Sequence, residues 1–183
     1  MKRYLFFTLF LCFLFLMNWI VKAQDKTETE NLDFKEVENV ENIISTFYES
    51  ISGAQGEKRD WNKFQSLFLS NARLIPSGKT DSDGQFKIHP ITVNDFINSS
   101  TQWFQDNGFY HTEIFRKIET FSHLTHVMST FESRRVPEED PFNRGIYSFQ
   151  LFHDEERWWI VNIYWATESA NQPIPSEYLP ASN

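Results

Sequence analysis

The chain has 183 residues, a formal charge of −8 from 25 Asp and Glu against 17 Lys and Arg, and a single cysteine. One cysteine excludes a disulfide framework, and so acidic a balance excludes nucleic acid, whose affinity comes from Lys and Arg neutralising phosphates. Apolar residues make up 40% of the chain, enough for one packed core of ordinary size.

Met1-Lys2-Arg3 precedes an uncharged, mostly apolar run from Tyr4 to Met17, and Val21-Lys22-Ala23 sets small residues at the −3 and −1 positions of a cleavage site. Residues 1–23 therefore read as a signal peptide and the protein as secreted or periplasmic. The competing reading is a membrane anchor, because the run approaches the roughly 20 residues that span a bilayer. Asn18 interrupts it, however, and the flank Gln24-Asp25-Lys26-Thr27-Glu28 is not basic, so no stable anchor is expected after cleavage. Cleavage after Ala23 leaves 160 residues, removes Cys12, and takes the charge to −11 by removing Lys2, Arg3 and Lys22.

Residues 24–33 are polar and expected to form a flexible lead-in. Val37, Val40, Ile44, Phe47 and Ile51 recur at steps of three and four, one apolar stripe of a helix ended by Gly53. Trp61, Phe64 and Phe68 mark a second, short helix. Asn71 to Ile75 reads as a brief strand stopped by Pro76-Ser77-Gly78, and Lys79 to Lys87 as a surface loop. Thr92 caps a third helix with Asp95 as its box partner; Phe96, Trp103 and Phe104 form its apolar side, and Asn107-Gly108 ends it. Phe109 to Phe121 and Leu124 to Arg134 are strands about a turn at Ser122-His123. Val136 to Asn143 is a loop, and Gly145 to His153 and Arg157 to Thr167 are the last strand pair. Residues 169–183 form an irregular tail. Helices first and antiparallel strands last predict an α+β fold, with three N-terminal helices packed on one face of a strongly curved antiparallel sheet.

Ala72-Arg73-Leu74-Ile75-Pro76-Ser77-Gly78, His126-Val127-Met128-Ser129-Thr130-Phe131-Glu132-Ser133-Arg134 and Arg157-Trp158-Trp159-Ile160-Val161-Asn162 together resemble the nuclear transport factor 2-like superfamily, with its ketosteroid isomerases, SnoaL-like cyclases and scytalone dehydratase. The third stretch is similar to the Trp-x-Ile-Val final strand of SnoaL-like sequences. The resemblance covers residues 34–168 and implies a cone-shaped fold with a hydrophobic pocket. In the isomerases an Asp before a Pro supplies the base, where this chain has Leu74-Ile75-Pro76; relatives with His on the final strand differ from Asn162 and Tyr164 here.

Alternation places Ile146, Ser148, Gln150 and Phe152 on one face with Trp158, Ile160, Asn162 and Tyr164, if Asp154 to Glu156 is the turn. That mixed face suits a ligand pocket. Tyr147, Phe149, Leu151, Trp159, Val161, Ile163 and Trp165 then form an apolar outer face that would pair two copies as a homodimer. With the faces exchanged, the apolar one lies under the helices and the mixed one is half exposed. Tyr48, Trp61, His126, Ser148, Gln150, Asn162 and Tyr164 are the pocket candidates, for a small apolar ligand. Glu132 is expected across from Glu113 and His126 across from Glu119, the first a possible acid–base pair of carboxylates. His123 and His126, three apart on a strand, face opposite ways and cannot chelate together; no metal or cofactor is expected. Three functions follow: an exported small-ligand-binding domain, a dehydratase, isomerase or cyclase on a small hydrophobic substrate, or a dimeric envelope interaction module.

Overall fold

Local signals set the helices of the computed structural model, which describes residues 33–79 and 84–181. The expected leader, the lead-in up to residue 32 and the middle of the loop after Lys79 lie outside these residues. A 3-10 turn at Phe34–Glu36 is capped by Asp33. Asn39 then accepts the Asn42 N–H at 2.7 Å and starts α1 (Val40–Ile51), which buries Ile43, Ile44, Phe47, Tyr48 and Ile51. Asp60 caps α2 (Trp61–Ser66), and Thr92 with Asp95 forms the reciprocal box that opens α3 (Val93–Asp106).

The strands are β1 (Phe68–Lys79), β2 (Phe86–Ile88), β3 (Ile91–Thr92), β4 (Tyr110–Phe121), β5 (Leu124–Arg134), β6 (Asn143–His153) and β7 (Trp158–Thr167). They lie in the order β2-β1-β7-β6-β5-β4, with β3 also on β1. The fold is α+β: three helices on a curved, unclosed sheet. That sheet is mixed rather than antiparallel, because β1 leaves α2 and runs parallel to the final strand. β1 also continues through Pro76-Ser77-Gly78 instead of stopping there. Pro76 lies between the stretches of β1 that pair β3 and β2, and its carbonyl accepts the His89 N–H at 3.0 Å.

Two bulges decide which residues share a face. In β7 the register passes from Leu151↔Ile160 to Gln150↔Asn162, leaving Val161 as the extra residue. Ser148 therefore faces Tyr164 rather than Ile163, and Ile160 and Ile163 both point inward and are fully buried. In β4 the extra residue is Ile114, so Glu113 pairs with Phe131 and Glu132 with Thr112, while Glu119↔His126 is as expected.

The faces are also exchanged relative to the pocket expectation. Tyr147, Phe149, Leu151 and Ile163 lie buried under the helices, with Phe47 at the centre of ring contacts to Tyr147 and Phe149 at 5.5 and 5.1 Å. Ser148, Gln150, Asn162 and Tyr164 turn outward. The arrangement follows from burial energy: each large apolar side chain gains about 1.5–3 kcal/mol on leaving water, so the almost wholly apolar face takes the helices. An outer interface built from Tyr147, Phe149 and Ile163 is thereby overturned. The tail is not loose over its described part. Ile174 is buried, a 3-10 turn forms at Ser176–Tyr178, and Thr130 Oγ1, on the outer face of β5, donates to the Tyr178 carbonyl at 2.6 Å.

Candidate functional site

Glu113 and Arg116 are three apart on β4, a spacing that would send them to opposite faces of a regular strand. The Ile114 bulge brings both to the concave side. There Arg116 Nε lies 2.9 and 3.0 Å from the two Glu113 oxygens, and Nη2 donates to Oε2 as well. Ser129, inward on β5, donates its only hydroxyl hydrogen to Glu113 Oε1. Tyr48 from α1 must then be the donor in its 2.7 Å contact with Ser129 Oγ. The chain runs Tyr48 to Ser129 to Glu113, with Arg116 closing it. Ser129 is fully buried, whereas the Glu113 and Arg116 side chains keep 18% and 17% of their surface exposed. The ion pair is the end of the chain that solvent reaches.

His111, one rung away on β4, lies stacked between Tyr48 and Phe109, with ring centroids 4.9 and 5.0 Å off. Its Nδ1 contacts Ser133 Oγ at 2.9 Å and its Nε2 has no partner. Burial lowers its pKa from 6.5 to about 3, so the ring is neutral at physiological pH. Burial, reinforced by nearby Tyr147, raises the Tyr48 pKa well above the usual phenol value and keeps it a donor. Burial likewise pushes Tyr147 up. One carboxylate–guanidinium pair, one neutral imidazole and two protonated phenols thus share the concave face. Such a set recognises hydrogen-bonding groups.

No family model matches the chain, and no curated protein matches it. Among solved structures it is similar to a protein of unknown function with a cystatin-like fold from Nostoc punctiforme, at 11% identity over 72% of this chain and 90% of that one, with a TM-score of 0.55. A protein of unknown function from Mycobacterium tuberculosis matches at 10% identity over 74% and 79%, TM-score 0.54. A scytalone dehydratase-like protein from Novosphingobium aromaticivorans matches at 13% identity over 71% and 82%, TM-score 0.51. The fold is nuclear transport factor 2-like. At these identities the likeness concerns the fold alone, since this architecture hosts unrelated functions.

Of the pocket candidates, only Tyr48 belongs to the concave chain. In this nuclear transport factor 2-like fold Trp61 packs edge-on against Phe64 and Phe104 at 5.7 and 5.6 Å, as part of an aromatic cluster between α2 and α3. His126 Nε2 meets Ser148 Oγ at 2.8 Å on the outer face, where Asn162 Nδ2 donates to Gln150 at 3.3 Å and Tyr164 is exposed. The structure therefore sets these candidates on two opposite faces. Glu113 and Glu132 are separated in the same way. Glu132 is outside, bonded to Arg134 at 2.5 Å and 3.4 Å from Arg144, so the two carboxylates share no site.

Arg116, Ser129 and Ser133 escaped the sequence argument. Ser129 and Ser133 alternate with Val127 and Phe131 along one side of β5, which was the available sign of polar groups entering an apolar face. An open groove of about 370 Å³ lies elsewhere, lined by Pro141, Phe142, Asn143, Arg144, Glu168 and Pro173 among others. Arg144 Nη1 and Glu168 Oε2 are 3.4 Å apart there.

Proposed function

We propose that the protein is an exported small-ligand-binding domain whose ligand rests on the open margin of the concave face and fixes its polar end on Glu113 and Arg116. The half-buried ion pair carries this reading. Removing two charges from water costs more than packing apolar side chains of similar volume, so stability alone gives no reason for the pair. A ligand with a hydroxyl, carbonyl or carboxylate does. Ile118, 37% exposed on the same strand face, and Trp165, 5.8 Å from Tyr147, offer surface for its apolar body. β-Bulges also recur beside binding and active sites, where they re-aim side chains.

Export rests on the basic start, apolar run and small-residue cleavage site of 1–23. Among the described residues no helix is long and apolar enough to cross a membrane. Binding without isomerase-type proton transfer is favoured by two observations. Leu74-Ile75-Pro76 carries no acid, and His111 is neutral down to about pH 3, far from the pKa that suits acid–base work at neutral pH.

Native mass spectrometry of protein gently purified from its host should show a retained small molecule, and Arg116→Met should lose it. The 370 Å³ groove supports a second reading, in which the ligand lies by Arg144; Arg144→Ala would then abolish retention and Arg116→Met would not. Turnover of a small hydrophobic substrate by the parent protein would replace binding by catalysis.

A further inference from the structure

Strand β4 is the edge of the sheet, and its two halves are treated differently. The first half is covered by the segment after α1. Ser52 Oγ accepts the His111 N–H at 3.0 Å and lies 3.1 Å from the His111 carbonyl oxygen, and Gly53 and Phe109 exchange backbone hydrogen bonds. Beyond the Ile114 bulge, no backbone group among the described residues bonds to the outer edge. A bare edge of this kind is a template for another strand.

The hydrogen-bond parity says which groups are bare. Phe121 and Leu124 flank the two-residue Ser122-His123 turn, so they form a bonded pair with β5. Counting back, Phe121, Glu119, Lys117 and Phe115 bond inward, and the N–H and C=O of Arg116, Ile118 and Thr120 point to the edge. The bulge reverses the parity, which is why His111 faces Ser52.

We propose that this free half pairs antiparallel with the same strand of a second copy, Ile118 against Ile118, across a two-fold axis. In that register Arg116 meets Thr120 of the other copy, and every bare backbone group finds a partner. Phe115 then stands across from Phe121 and Lys117 across from Glu119, an aromatic pair and an ion pair on each side of the axis. Parity permits two neighbouring registers, and charge rejects both. One sets Lys117 against Lys117 and the other Glu119 against Glu119. Lys117 and Glu119 lie 3.5 Å apart within one chain and are both more than half exposed, so they are free to exchange partners. The proposal is independent of the ligand reading.

Sedimentation equilibrium on the purified chain tests it. A reversible dimer is expected, with Lys117→Glu weakening it about tenfold or more and the exchange Lys117→Glu with Glu119→Lys restoring it. Ile118→Pro should also weaken it, since the N–H it removes points away from β5. The charge exchange keeps the composition, so the test stands even if the proline variant does not fold. A monomer throughout the concentration range, or a dimer indifferent to Lys117→Glu, overturns the proposal.

Discussion

At the scale of single residues, Arg116 and His111 make opposite demands on solvent. Arg116→Leu leaves the Glu113 carboxylate half-buried with only Ser129 as partner, which should cost about 1–3 kcal/mol in stability. Adding Glu113→Gln should recover part of that loss, and a double-mutant cycle by urea unfolding measures the coupling. A loss in the double variant equal to the sum of the two single losses would show that the pair contributes nothing. His111 predicts a pH effect of definite sign. Its folded pKa of about 3 lies below the ordinary 6.5, so between these values the unfolded chain binds more protons than the folded one. Stability is fully present above about pH 6.5 and is lost as pH falls toward 3, at up to about 1.4 kcal/mol per pH unit. His111→Phe should flatten the fall in melting temperature between neutral and mildly acidic pH. An unchanged slope would assign the acid sensitivity to other groups.

Among the elements, the bulges at Ile114 and Val161 and one glycine set the geometry of β4, β6 and β7. A Cβ on Gly145 would lie 2.4 Å from the Ala166 carbonyl oxygen and 2.6 Å from the Phe131 ring, and the carbonyl belongs to paired backbone that cannot swing aside. Gly145→Ala should therefore cost about 1–3 kcal/mol through overpacking, read as a lower urea midpoint with unchanged slope. Helices were legible in the sequence because their signals are local. The Thr92–Asp95 box, the stripe through Val40, Ile44 and Phe47, and the Asn107-Gly108 stop each act within one or two turns. The register of β7 was not legible, since a bulge at Val161 depends on the partner strand and leaves no residue signature. With it went the assignment of Trp158 and Ile160 to the face of Asn162 and Tyr164. The concave site failed for the same reason: Glu113 was visible as a titratable group, but its partner was sought across the strand rather than three residues along it.

For the molecule as a whole, the outer face is where sequence and structure diverge most. Expected to be apolar and self-pairing, it is a mixed surface whose Thr130 end is covered by the chain's own tail. The tail holds on through few contacts. Ile174 is buried, its N–H donates to Glu168 Oε1 at 2.9 Å, and Tyr178 accepts from Thr130. Ending the chain at Ser169 removes one large apolar side chain from burial, worth about 1.5–3 kcal/mol, and these two hydrogen bonds, each worth about 0.5–1.5 kcal/mol. The fold should survive with about 2.5–6 kcal/mol less stability and a smaller denaturant slope, because less surface is exposed on unfolding. A truncated chain with the midpoint and slope of the full one would show that residues 170–183 are carried rather than packed.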